Sequence, residues 1–161
     1  MFQPIALQND MVRRLGTANT NAPRAQRLFD RALRTAQIKR LRAALTSRSR
    51  RLLDRAAVEA EVTITGRHAL GARTVALDDI RGSLDRTGDF DCEFYPLNER
   101  GETRWVRVAT AMVRGLALPP VELIRVGEVY FVVDGHHRIS AARALKYTHI
   151  DAAVVEWTVA G

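Results

Sequence analysis

The sequence predicts an α+β fold, a small mixed β-sheet with short helices, preceded by an arginine-rich helical extension. Three observations carry this prediction. From Val62 onward, apolar runs of strand length alternate with turn residues and two short helical patterns. Ahead of that point, apolar residues recur at intervals of three and four, the spacing of a helix face. The charge divides at the same place: residues 1–62 hold 13 Lys/Arg against 5 Asp/Glu, and residues 63–161 hold 12 against 13, so the first part carries the whole excess of the +7 net charge. The predicted organisation is a basic helical extension over 1–62, with helices at 22–46 and 50–61, and a second domain over 63–161.

Each element has its own reason. Residues 1–21 show little periodicity and read as a lead-in. Thr20 or Asn21 is a cap for a helix starting near Ala22-Pro23, since proline is tolerated in a first turn. Leu28, Ala32 and Ala36, followed by Ile38, Leu41 and Leu45, form its apolar stripe. Thr46-Ser47-Arg48-Ser49 breaks the pattern. The next helix offers Leu52, Leu53, Ala56 and Ala57 for burial, and two packed helices, or a partner subunit, would hide these positions better than one helix alone. After Val62-Thr63-Ile64-Thr65, Gly66 and Gly71 read as turns, and Arg73–Leu77 as a strand. Gly82–Asp91 reads as a polar loop, and Trp105–Arg114 as a helix closed by Gly115 and followed by Pro119-Pro120. Strands at Val121–Arg125 and Val129–Val133, a helix at Arg138–Lys146 and a strand at Ala152–Trp157 complete the pattern.

The composition is that of a globular chain, 47% apolar and 27% charged. The single cysteine, Cys92, excludes an internal disulfide framework, and Asp91 and Glu93 beside it would raise its thiol pKa. No apolar run is long enough to span a bilayer and Met1–Asp10 does not form a secretory signal, which predicts a cytoplasmic protein with no membrane partner. The basic half suits a polyanion or a docking partner, or is simply a solvated helix face.

One segment concentrates chemistry. Val129–Val133 runs into Asp134-Gly135-His136-His137-Arg138 and then into the small-residue helix Ile139-Ser140-Ala141-Ala142-Arg143-Ala144-Leu145. A helix N-terminus presents unpaired N–H groups and partial positive charge, so this corner suits an anion held by backbone amides from Gly135 onward, by Arg138 and by Ser140. His137, a residue type whose pKa can lie near neutrality, is the candidate for polar contact or proton transfer, with Asp134 as a second proton carrier. Arg86, Arg114 and Arg143 are further cations that could complete an anion pocket. Adjacent histidines diverge, His68 and His149 are the only others, and no metal site is expected. The structural alternative is that Asp134 caps the helix, Gly135 makes the turn, and the histidines satisfy buried carbonyls.

The residues Asp134 to Leu145 resemble the box of the ParB N-terminal and sulfiredoxin-like superfamily, in which a strand leads into a Gly-x-x-Arg helix start that contacts nucleotide phosphates. The resemblance extends over the order of elements from Val75 to Trp157. It includes Leu77-Asp78-Asp79-Ile80, the loop bearing Arg86, the helix end at Arg114-Gly115, and Leu118-Pro119-Pro120-Val121-Glu122-Leu123. It implies nucleotide or phosphate binding by Gly135, His136, His137 and Arg138, with Arg86 as a further contact. Members include CTP-dependent partitioning clamps, ATP-using sulfinic-acid reductases, nucleases and a free-serine kinase. His136 stands where the reductases have cysteine, so that chemistry is not expected. The helix-turn-helix and dimerising tail of partitioning proteins do not follow the box here, so clamp function is not expected either.

Together these readings lead to a stand-alone ParB-like domain that binds a nucleotide or nucleic-acid phosphate. A nucleoside triphosphate, ATP or CTP with Mg²⁺, is the cofactor considered, with Asp85 and Asp89 the acids nearest to hand for the metal. Phosphoester hydrolysis, as in a nuclease, or phosphoryl transfer is the reaction class if the protein is an enzyme. The alternatives are a non-catalytic DNA-binding or regulatory adaptor, and a structural protein that forms a homodimer through its N-terminal helices.

Overall fold

The computed structural model describes residues 18–160, so the predicted lead-in falls largely outside the described residues. A long helix, α1 (Ala18–Leu45), leads by a turn into a two-residue strand, β1 (Leu53–Asp54), and a short helix, α2 (Arg55–Glu61). Next come β2 (Ile64–Ala76), a single 3₁₀ turn at Leu77–Asp79, and β3 (Ile80–Ser83). After the loop 84–101 follow α3 (Glu102–Val113), β4 (Val121–Val126), β5 (Val129–Asp134), α4 (His136–Ala144) and β6 (His149–Val159). The fold is α+β, with one mixed sheet of six strands in the order β1-β3-β5-β4-β6-β2.

The register follows from the apolar pattern. β4 and β5 form an antiparallel hairpin that turns at Gly127, whose φ of 60° suits glycine. β5 lies parallel to β3, and β4 parallel to β6, while β2 and β6 make the long antiparallel ladder at one edge. Alternation divides the side chains between the two faces. Val121, Leu123, Val132 and Val154 join Trp105, Ala109 and Ile139 of the helices in the main core. Ile124, Phe131 and Trp157 turn to the other face, beside Val58 and Val62. α1 packs on α3 and contributes to the same core, with Phe29 edge-on to Trp105 at 5.4 Å between ring centres.

Several sequence expectations are corrected. Gly66 and Gly71 do not end strands: β2 continues through both, and the register against β6 shifts beside each, so the glycines mark bulges. Gly82 and Ser83 belong to β3 rather than to a loop, because the Gly82 backbone lies against the Phe131 ring, where a Cβ would come within 2.2 Å. The second basic helix is shorter than 50–61, since Leu53-Asp54 pairs with Gly82-Ser83 first and Asp54 then caps α2 by accepting from the Ala56 N–H. α1 begins at Ala18, so Thr20 and Asn21 lie inside it and Pro23 is in its second turn. Its buried face is Ala25, Phe29, Ala32, Ala36 and Ala43, whereas Ile38, Leu41 and Leu45 are exposed. No described helix is long and apolar enough to cross a membrane.

Candidate anion-binding site

The corner between β5 and α4 is built on a backbone conformation that only glycine holds without strain. Gly135 has φ 103°, and a Cβ there would meet Val121 Cγ1 at 2.5 Å. It is the N-cap of α4 and no side chain caps the helix, so the first-turn N–H groups keep their donor capacity. Asp134, the expected cap, instead accepts from Arg138 Nη2 at 2.6 Å.

The two histidines have different surroundings. His136 Nε2 lies 2.7 Å from Ser83 Oγ, and that oxygen also accepts from the Arg86 N–H at 3.0 Å. The neutral tautomer that fits accepts the Ser83 proton at Nε2. His136 therefore ties the end of β3, and the loop bearing Arg86, to the start of α4. The Phe90 ring stacks on it at 6.1 Å. His137 meets the same ring edge-on at 5.5 Å, is only 8% exposed, and its buried Nδ1 has no hydrogen-bond partner among the described residues. A buried polar atom left without a partner costs about 1–3 kcal/mol. Both imidazoles are pushed down to about 4, in each case first by burial. Arg104 and then Arg86 act in the same direction on His137, and Arg86 does so on His136. Both rings are neutral at pH 7.

Two cavities share Arg86 and His137 as a common wall. The smaller, of about 60 Å³, lies over the start of α4 and is also lined by Arg104 and Gly135. The larger, of about 240 Å³, is lined by Phe29, Phe90, Trp105 and Asn98 among others. Gly101, the N-cap of α3, borders the larger cavity, and a Cβ there would come within 2.4 Å of the His137 ring.

No family model matches the chain, and no curated protein does. The crystal structure of sulfiredoxin from Arabidopsis thaliana is similar over 52% of this chain and 82% of that one, at 20% identity and a TM-score of 0.39. That is a distant, partial likeness of fold.

The structure thus gathers Gly135, His136, His137 and Arg86 at one corner and separates others from it. Arg138 lines the small cavity, but its guanidinium donates to the carbonyls of Pro119 and Pro120 and to Asp134, and its side chain is 15% exposed. It ties the loop before β4 to α4 rather than standing free as an anion clamp. Ser140 is buried and accepts from Trp105 Nε1 at 2.8 Å, so its hydroxyl belongs to the α3–α4 contact. Arg143, in the last turn of α4, donates to Asp78 and the Leu77 carbonyl, away from the corner. Arg114 ends α3, at the opposite end of that helix from Arg104.

Arg104 is the cation that sequence reading missed. The sequence predicts that helix from Trp105, three residues late: α3 begins at Glu102, which puts Arg104 in its first turn. Asp89 pairs with Arg86 at 3.3 Å, Asp134 with Arg138, and no group of three or more His, Cys, Asp or Glu gathers among the described residues. The Cys92 thiol is raised, chiefly by burial and against the pull of Arg50.

Proposed function

We propose that the β5–α4 corner binds the phosphate of a nucleotide. One observation carries the reading: His137, a buried imidazole with an unpartnered nitrogen, lines a cavity at an uncapped helix start between Arg86 and Arg104. A phosphate oxygen there would accept from the first-turn amides and from the His137 ring, and would be neutralised by the two guanidiniums. The larger cavity continues past His137, where Phe90 and Trp105 offer aromatic surface and Asn98 an amide for the nucleoside. Asp89 and Asp134 are each paired with an arginine, which weakens both as ligands for a Mg²⁺ accompanying the nucleotide. With its pKa pushed down to about 4 in the free protein, the neutral His137 ring serves first as a hydrogen-bonding partner for the phosphate.

Calorimetric titration with ATP, CTP and GTP, each with and without Mg²⁺, tests this reading. The expected result is saturable binding of at least one nucleotide, weakened at least about tenfold by Arg86→Ala and by Arg104→Ala. A bound phosphate should also raise the His137 pKa, seen by NMR titration of its ring protons. Absence of heat with every nucleotide, and of a shift with inorganic phosphate, would overturn it.

A further inference from the structure

The outer face of α1 is spaced like the seam of a coiled coil. Arg24, Arg27, Arg31, Arg34, Ile38, Leu41 and Leu45 follow one another at steps of three, four, three, four, three and four, and all seven are exposed. At 100° per residue these positions lie within one stripe, opposite the alanine and phenylalanine face that packs on the core. Its first four places are guanidinium and its last three are aliphatic. Ile38, Leu41 and Leu45 are 53%, 68% and 82% exposed, although folding had a buried face on the same helix in which to place such residues. The run covers three heptads, roughly 32 Å at 1.5 Å per residue, the length at which a two-helix seam becomes stable.

We propose that this stripe docks an amphipathic helix of a partner protein, acidic where it lies over Arg24–Arg34 and apolar where it lies over Ile38–Leu45. Charge selects that occupant. α1 holds seven Lys/Arg and one acid, Asp30, so it supplies almost no counter-charge of its own. A second copy in parallel register would set arginine against arginine. An antiparallel copy would either face leucine with guanidinium or pair the apolar ends and leave both arginine runs unneutralised. Residues 1–17 include one acid, Asp10, against Arg13 and Arg14, and cannot neutralise the run either. Nucleic acid would meet the arginines but leave three aliphatic side chains uncovered. An acidic-then-apolar helix satisfies both halves, through Arg–carboxylate pairs at one end and Leu/Ile packing at the other.

The test uses the full chain and a synthetic three-heptad peptide with Glu at four seam positions and Leu at the next three, followed by fluorescence anisotropy. A peptide of the same composition in scrambled order is the control. Binding of the ordered peptide alone is expected, weakened at least about tenfold by the Arg27→Glu/Arg31→Glu pair and by Leu41→Ser. The charge-reversed variant should regain binding to a peptide carrying Lys at the two facing seam positions, which a merely structural effect would not produce. All substitutions face outward, so the melting temperature should be unchanged, and a fall in melting temperature that accounts for the lost binding overturns the assignment. No preference for the ordered peptide overturns it. Sedimentation showing a dimer that Leu41→Ser dissociates overturns it in favour of a second copy. Duplex DNA competing with equal dependence on Leu41 overturns it in favour of nucleic acid, and binding that appears only after removal of residues 1–17 overturns it in favour of the chain's own segment.

Discussion

At the β5–α4 corner a few polar groups are buried at close quarters, while along the outer face of α1 many are spread in solvent. The corner has an uncapped helix start and a buried His137 nitrogen with no hydrogen-bond partner among the described residues, polar groups whose needs the fold leaves unmet. The α1 face has four exposed arginines at seam positions, none of which costs anything to leave hydrated. Abundance of charge is therefore a weak guide to where a small ligand goes, and unmet polarity in a confined space is a stronger one. The exposed face becomes informative only through the aliphatic residues that continue it, because these are what solvent does not satisfy. Two kinds of incompleteness, one polar and buried, one apolar and exposed, mark two kinds of partner.

The largest effect is expected from breaking the corner itself. Gly135→Ala combines a left-handed backbone with a Cβ 2.5 Å from Val121, and should cost about 2–4 kcal/mol of stability. For a chain of this size that is a fall of roughly 5–15 °C in melting temperature. A comparable substitution on the outer face of α1, Arg31→Ala, should stay within about 0.5 kcal/mol. Equal losses at the two places would show that α1 and the corner are not the different environments described here.

How much of this was legible beforehand differs between the same two regions. The apolar run of β5, the glycine and the small-residue helix after it announce the corner from sequence, because each depends on neighbours within a few residues. What Arg138 touches does not, since its partners are carbonyls 18 and 19 residues away in a loop whose course depends on the sheet order. Phe90, Asp91 and Phe94 were hidden in a run of turn-forming residues. Asp91 is buried because it organises that run, accepting from the N–H groups of Glu93 and Tyr95 and from Arg50 of the segment before β1. On α1 the helical period and the burial of Ala32 and Ala36 were legible, but the C-terminal half of the stripe was not: Phe29 and the alanines fit against Trp105 and α3, and the larger Ile38, Leu41 and Leu45 stay outside.

The pH dependence sharpens the contrast further. Both corner histidines have folded pKa values of about 4, below the ordinary 6.5, so the unfolded chain takes up protons first as the pH falls. The stability they allow is present at pH 7 and is lost as the pH drops from 6.5 through 4. The slope is at most about 1.4 kcal/mol per pH unit for each ring. Urea midpoints measured at pH 7 and pH 5 should therefore move apart strongly, and His137→Leu should remove about half of the difference. An unchanged pH slope in that variant would mean that His137 titrates as an ordinary exposed histidine. A phosphate ligand should oppose the effect, since it favours the protonated ring.

The smallest effect separates two arginines that sequence alone would pair. Arg138 is engaged by the Pro119 and Pro120 carbonyls and Asp134, whereas the Arg86 guanidinium pairs with Asp89 at 3.3 Å and lines both cavities. Arg138→Ala should lower stability by about 1–2 kcal/mol, the cost of leaving those partners to water and to one another. Nucleotide affinity should stay within about twofold, because the first-turn amides and Arg86 remain. Arg86→Ala should do the reverse, sparing stability and losing affinity. Denaturant titration and calorimetry on the same two variants would check both halves. If Arg138→Ala abolished binding while stability held, the guanidinium would have to leave its carbonyls to reach the ligand, and the corner would be a moving clamp rather than a fixed one.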